Sequence, residues 1–292
     1  MSRTAIVTDT THYLPRELVQ KHGIREVSLY VTLEGEQRRE SEIDDYGEFY
    51  ARLAASGESV STSQPSVGDF VDVYEPLLAQ GREIVSIHLA AGISGTYASA
   101  LQAKEQLERA GKDGERIRVY DSRTAAGGMG IVVLAAANAA GAGLDGEAVL
   151  ERTRAARDGV QLWFAVETLE YLRRGGRIGA AQAWLGSALR IKPILTFGEQ
   201  VEPVERVRTW GRAVERLHGY AEQRKAEGAD AWVVQHIQAP EQAAQLAAHC
   251  RELFGHGPLY ISEIGPVLGA HAGPGLLGVG GIAASLVEPP AS

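Results

Sequence analysis

EIVSIHLAAGISGTYASALQAKEQLERAGKDGERIRVY, residues 83–120, contains the alternation that decides the fold class. Glu83 to Leu89 is a short apolar run closed by small residues, the pattern of a buried strand. Thr96 to Arg109 has helical periodicity, and Ile117 to Tyr120 returns to a strand. A strand, a helix and a strand in succession require a crossover, and right-handed crossovers build parallel sheets. Upstream, Thr4 to Thr8 reads as another buried strand and Val27 to Leu33 as a single alternating strand. Between them and residue 83, Asp44 to Ala55 places Tyr46, Phe49, Tyr50 and Leu53 on one helical stripe. Ser66 and Asp69 form the S-x-x-D start of a helix whose buried face is Phe70, Val73, Tyr74 and Leu77. Downstream, Ala125 to Ala142 is an apolar helix.

After Gly143 the pattern changes. A polar helix, Gly146 to Asp158, leads to a strand, Leu162 to Val166, and then to a basic glycine-containing stretch, Tyr171 to Gly179. Arg190 to Phe197 and Val201 to Arg208 flank Gly198-Glu199-Gln200 and read as a hairpin. Helix Thr209 to Glu227, strand Ala231 to Ile237, helix Pro240 to Phe254 and strand Leu259 to Ile264 follow, before a glycine-rich run from Gly265 to Gly281. The expected fold is two-domain α/β. Residues 1–159 form a parallel-sheet α/β/α domain, and residues 160–292 a smaller domain on a mixed sheet.

The chain of 292 residues is long enough for two cores. Its net charge of −8 argues against a broad nucleic-acid surface, which needs basic stripes. The sequence holds no apolar run of the ~20 residues a membrane helix requires, which leaves only transient contact with a membrane surface open. The N-terminus reads as a strand rather than a signal peptide, and the single Cys250 demands no oxidising compartment, so a cytoplasmic location is expected. There is no Walker A sequence, and Gly128-Met129-Gly130 lacks the final glycine of a dinucleotide fingerprint. The eight histidines show no ligand spacing, so neither a metal nor a cofactor is expected.

Loops Thr8 to Thr11, Ala90 to Thr96 and Asp121 to Gly128 fall at the C-terminal edge of the parallel strands, where open sheets bind ligands. Ser61 to Ser66 and Gly92 to Thr96 each precede a helix, whose free N–H groups favour an anion. Thr62 and Ser94 carry hydroxyls there, although serine and threonine in such places often serve only as caps.

Four segments resemble, in order and along nearly the whole chain, the successive signatures of the DegV family. They are Thr62-Ser63-Gln64-Pro65-Ser66, Ser94-Gly95-Thr96-Tyr97, Tyr171-Leu172-Arg173-Arg174-Gly175-Gly176-Arg177-Ile178, and Gly269-Ala270-His271-Ala272-Gly273-Pro274-Gly275. Characterised members are the fatty-acid-binding subunits of bacterial fatty acid kinase. The resemblance implies a non-catalytic carrier that buries one long-chain fatty acid. A separate ATP-dependent kinase would convert the bound acid to an acyl phosphate for phospholipid synthesis. It also implies that Thr62 and Ser94 bind the carboxylate, that His271 lies near the head group, and that Arg173, Arg174 and Arg177 meet a partner or a phosphate. The first domain would carry the head-group loops and the second the acyl tunnel and the Arg loop. Phe164, Val166, Ile191, Ile194, Leu195, Ile264, Val267 and Leu268 are suitable tunnel material, although each taken singly reads better as plain core. Two departures stand out. The first loop reads Thr8-Asp9-Thr10-Thr11 where Ser-Asp-Ser is common, and the loop after Ser122 is poor in hydroxyls.

A sixteen-carbon chain offers on the order of 12 kcal/mol of gross burial at about 0.8 kcal/mol per methylene. Each hydrogen bond to its carboxylate adds only about 1.5–3 kcal/mol before desolvation. Apolar burial would thus supply affinity and hydroxyls orientation. Two rival readings differ in class. One is a hydrolase in which Ser94, His271 and either Asp9 or Asp121 converge, although Gly92-Ile93-Ser94-Gly95 is one residue short of a G-x-S-x-G elbow. The other is a regulatory protein that senses a lipid.

Overall fold

The computed structural model describes residues 3–56, 60–185 and 191–289. The first half runs β1 Thr4–Asp9, α1 Arg16–His22, β2 Arg25–Val27, β3 Tyr30–Leu33, β4 Glu36–Arg39, α2 Tyr46–Ser56, β5 Ser61–Ser63, α3 Val67–Ala79, β6 Glu83–His88, α4 Thr96–Arg109, β7 Ile117–Asp121, α5 Ala126–Gly141 and α6 Gly146–Gly159. The second runs β8 Gln161–Ala165, α7 Glu170–Arg174, β9 Lys192–Phe197, β10 Val201–Val207, α8 Trp210–Ala226, β11 Ala231–His236, α9 Pro240–Phe254, β12 Tyr260–Glu263, α10 Pro266–Ala272 and β13 Leu277–Ile282.

Strands β2-β1-β6-β7 form a wholly parallel sheet, as the βαβ pattern implies. A six-stranded sheet, β10-β9-β8-β13-β11-β12, is mixed: only β11 and β12 run parallel, and the expected β9–β10 hairpin is antiparallel. Arg190, the first residue of the expected hairpin, lies outside the described residues. The helix expected after Ser66 begins with a full capping box. Ser66 Oγ accepts from Asp69 N–H at 3.1 Å and Asp69 Oδ2 accepts from Ser66 N–H at 2.8 Å.

Helix α5 holds the two large sheets together. Its sequence, AGGMGIVVLAAANAAG, has no polar face, and nearly every residue is buried. A helix apolar all round needs packing on all sides. One side of α5 meets β1 and β6, and another meets β8, β11 and β13, so Val85, Ile87, Val233 and Ile282 share one core with it. Helices α3 and α4 cover the far face of the parallel sheet, while α8 and α9 cover the far face of the mixed one.

Two local expectations change. Val27 to Leu33 is not one strand: β2 belongs to the parallel sheet and β3 to a separate antiparallel sheet, β4-β3-β5. The break falls where Ser28 Oγ donates to Leu29 O and accepts from Ser41 N–H, while Leu29 O also takes Glu40 N–H, so the ladder is diverted. The terminal glycine-rich run holds a helix, α10, and a central strand, β13. Gly278 and Gly280 suit that strand, because a Cβ on either would sit 3.2 Å from the Cβ of Phe164 or Leu162. Among the described residues no helix is long and apolar enough to cross a membrane.

Candidate functional site

A cleft of about 970 Å³, counting its open mouth, lies between the mixed sheet, the start of α5, the small sheet and α10. Its walls are mostly aliphatic or aromatic, with Leu29, Leu89, Ile93, Phe164, Ile264 and Leu268 among them. Both halves of the chain contribute. Of the residues considered as tunnel material, Phe164, Ile264, Val267 and Leu268 line the cleft, whereas Val166, Ile194 and Leu195 are buried core beside it. Floor space comes from Gly278 and Gly280 on β13 and from Gly127 on α5.

The register of the mixed sheet orients the cleft. Leu277 pairs with Ala165, Gly278 with Phe164 and Gly280 with Leu162. The chain reaches Leu277 from α10, which carries His271, and leaves Ala165 towards the loop that carries Arg177. His271 therefore marks one end and Gly280 lies three rungs from it, while the loop that carries Arg177 runs on to Gly179, which packs against Val201, the register partner of Phe197.

That polar end assembles from distant sequence. Thr62 sits on β5, held opposite Val31 of β3, and its Oγ1 lies 2.7 Å from Nε2 of His271 in the last turn of α10. Ser94 Oγ is 2.9 Å from Thr96 Oγ1 and accepts from Thr96 N–H at 3.3 Å, which fixes the turn into α4. Arg177 donates from Nε to Ile93 O at 3.2 Å and from Nη1 to Gly175 O at 2.7 Å, joining the Ser94 loop to the Arg loop. Thr62, Ser94, Arg177 and His271 all line the cleft. Burial and, secondarily, the Arg177 charge lower the His271 pKa to about 4, so the imidazole is neutral at neutral pH. Its buried Nδ1 has no partner. Gly175 packs directly against this ring, and a Cβ there would collide with Nδ1.

The three arginines of the basic signature part company. Arg173 and Arg174 project from α7 into solvent, where both pair with Glu170, at 2.6 and 2.7 Å. Arg177 alone reaches the cleft.

The groups named for a hydrolase go elsewhere. His271 Nε2 meets Thr62 and Ser94 Oγ meets Thr96. Asp121 Oδ1 accepts from Ala91 and Arg123 N–H. Asp9 Oδ2 lies 3.0 Å from His88 Nδ1, and His88 Nε2 lies 2.7 Å from Ser86 Oγ, which also accepts from Tyr74. Ser86, His88 and Asp9 are wholly buried, and none of them lines the cleft. Burial alone would raise the Asp9 pKa, but His88, Thr11 and Leu89 together hold it below the usual value. The set ties the β1 loop to the β6 loop and offers no substrate a nucleophile.

Two contributors were not legible as site residues. Gln235 lines the cleft on the Gly278 rung and donates from Nε2 to Ser262 Oγ at 2.8 Å; a polar residue near the end of a mostly apolar strand was its only signal. Glu40 is buried beneath α10. Its Oε1 accepts from Tyr13 OH and Val267 N–H, each at 2.8 Å, and its Oε2 accepts from Thr10 Oγ1 at 2.5 Å. Burial raises its pKa although these donors oppose the shift. Tyr50 OH donates to Ile264 O and Gly265 O at 2.9 and 3.0 Å, so the first half of the chain fixes where α10 starts and hence where His271 stands.

Comparison with known proteins gives a consistent result. The family model described as "Uncharacterised protein, DegV family" matches residues 3–284. A DegV domain-containing protein of Streptomyces coelicolor is 41% identical over 285 residues, covering 96% of this chain and 98% of the relative. Two solved structures resemble the chain throughout. One, of fatty acid binding by a DegV family protein of Thermus thermophilus, has a TM-score of 0.86 at 33% identity, covering 96% of this chain and 99% of that one. The other, of DegV from Bacillus subtilis, a fatty acid binding protein, has a TM-score of 0.86 at 32% identity, covering 97% and 100%. With fold, order of signatures and full-length identity in agreement, this chain belongs to the DegV family.

Proposed function

We propose that the chain is a non-catalytic carrier that buries one long-chain fatty acid in the apolar cleft, with the carboxylate at Thr62, Ser94 and His271. The observation that carries this reading is the cleft's lining: a mostly apolar wall in which the Thr62 hydroxyl meets the His271 imidazole and the Arg177 guanidinium bonds the Ser94 loop. The fatty acid binding of the Thermus thermophilus and Bacillus subtilis relatives supports the same cargo.

The Thr62–His271 pair suits a carboxylate. With its proton on Nε2, neutral His271 donates to Thr62, whose own hydroxyl proton is then free for the anion. Ser94 offers a second hydroxyl from the facing loop. Affinity comes from the methylenes at about 0.8 kcal/mol each, and the polar end sets direction.

Held this way, the carboxylate faces the mouth, where a separate ATP-dependent fatty acid kinase would phosphorylate it to an acyl phosphate in the cytoplasm. Arg173 and Arg174, exposed beside that mouth, are the contacts proposed for the kinase or for phosphate. The test is mass spectrometry of an organic extract of the purified protein, followed by titration of the delipidated protein with palmitate. One fatty acid per chain and saturable rebinding are expected; no lipid and no rebinding would end the proposal. The kinase step is tested by adding ATP and a copurified kinase to the loaded protein. Phosphate on the lipid is expected, and a loaded protein that no kinase acts on would favour a lipid sensor.

A further inference from the structure

Among the described residues that line the cleft, Gln235 is the one polar side chain outside the four signature segments. It stands on β11, paired with Gly278 of β13 on one side and with Ser262 of β12 on the other, and is 4% exposed. Its Nε2 donates to Ser262 Oγ at 2.8 Å, which orients the amide. No described residue donates to its Oε1. That oxygen lies against Gly127, where a Cβ would meet it at 2.9 Å. Gly127 and its neighbour Ala126 open α5, and both line the cleft. Their N–H groups and that of Gly128 have no partner among the described residues. Met129 N–H is the first of the helix to find one, Ala125 O at 3.4 Å. Tyr260 OH donates to Gly127 O at 3.0 Å and holds this helix start against the sheet. An unpaired acceptor thus sits beside the donor end of a helix in a largely apolar wall.

We propose that Gln235 and the first turn of α5 form a second polar subsite in the cleft, one that selects acyl chains bearing a hydroxyl group. The inference rests on the proposal that the cleft holds a fatty acid. A buried polar atom without a partner destabilises its surroundings, and the methylenes of a plain acyl chain offer Oε1 nothing. A hydroxyl donates to Oε1 while its own oxygen accepts from an N–H of the helix start. Turned over, the amide would present its NH₂ instead, and a hydroxyl answers that as well because it also accepts. An ionised carboxylate does not fit, since it has no proton to give to Oε1. Gly127 keeps the place open: a methyl there would press on Oε1 and would meet Val233 Cγ2 at 3.3 Å. Val233, Val279, Phe164 and Ile264 are the apolar wall elsewhere, so a hydroxyl at another position along the chain is buried without a partner. The subsite therefore reads where the hydroxyl stands as well as whether it is there.

The experiment titrates delipidated protein with octadecanoic acid and with its monohydroxy derivatives, the hydroxyl placed at successive positions along the chain. Wild type is compared with Gln235→Leu, which removes the amide, and with Gly127→Ala, which keeps Gln235 and covers its oxygen. Circular dichroism and urea melting verify folding, and either folded variant suffices. In the wild type, one hydroxyl position should bind at least as tightly as octadecanoic acid and the others more weakly. In Gln235→Leu the favoured isomer should lose about tenfold or more relative to octadecanoic acid, and Gly127→Ala should shift the same way. A wild type in which every hydroxyl position weakens binding alike overturns the subsite. So does a folded variant that changes octadecanoic acid and the favoured isomer by the same factor. Failure of the wild type to bind any of these acids would instead overturn the carrier reading.

Discussion

Replacing Glu40 by Ala should destabilise the protein far more than a loop residue on a polar strand would suggest. The carboxylate takes three donors, Thr10 Oγ1, Tyr13 OH and Val267 N–H, and is 2% exposed. Removing it leaves three buried donors unpartnered. Each costs about 1–3 kcal/mol, and partial relaxation brings the total to about 3–6 kcal/mol. Because a whole protein is commonly stable by only about 5–15 kcal/mol, the urea midpoint of the lipid-free protein should fall sharply. Glu40→Gln keeps an oxygen for Tyr13 and Val267 and turns an amide towards Thr10, whose hydroxyl can accept, so its loss should be about 1 kcal/mol. Urea titrations of the three proteins, followed by tryptophan fluorescence and circular dichroism, give the comparison. A loss below about 1 kcal/mol in Glu40→Ala would refute the reasoning, since it would mean that α10 does not depend on the carboxylate.

Other expectations concern the cleft directly. His271 has a folded-state pKa lowered to about 4, against 6.5 unperturbed. Between these values the unfolded chain binds more protons, so the stability His271 contributes is complete above pH 6.5 and drains away as pH falls towards 4. At 1.36 kcal/mol per unit the loss is about 3 kcal/mol, and lipid-free His271→Asn should lack that part of the decline; parallel urea-stability curves from pH 7.5 to 4.5 would reject it. Gly280→Leu should fill the deep floor, where a Cβ meets Leu162 and Val233 at 3.2 and 3.4 Å. Displacing about four methylenes should cost a 16-carbon acid about 3 kcal/mol, roughly a hundredfold, while a 10-carbon acid binds as before; equal losses in calorimetric titrations would disprove the assigned direction. Arg177→Ala should lower copurified lipid, because it cuts the bridge between Ile93 and Gly175, whereas the Arg173→Ala, Arg174→Ala double variant should keep its lipid and lose kinase coupling. Lipid content by mass spectrometry separates the two.

Most helices and β1, β6 and β7 of the parallel sheet could be read from the sequence because their signals are local. Thr96 to Arg109 and Pro240 to Phe254 carry periodicity and end signals within themselves, and both match α4 and α9 to the residue. The small sheet could not be read this way. Its β4 and β5 strands, Glu36–Arg39 and Ser61–Ser63, are polar and lie at edges, so what makes them strands is a partner, β3, and not their own pattern. The glycines of β13 looked like loop residues, yet their lack of side chains is what a strand facing a cleft needs. At the site, the signatures pointed to Thr62, Ser94, Arg177 and His271, which do line one cleft. Nothing local could pair Thr62 with a histidine 209 positions away, or separate Arg177 from its two neighbours on α7. Glu40 escaped notice because a glutamate in a charged run, Glu36 to Glu42, reads as solvated until three donors are found around it.

The helix clamped between the two large sheets constrains how any cargo gets in or out. Hinging the halves apart would strip α5 of half its neighbours and wet a segment that has no polar side to turn towards water. Access to the cleft therefore falls to the loops around Ser94, Arg177 and His271, and under the proposed function an acyl tail would enter along its own axis through that rim.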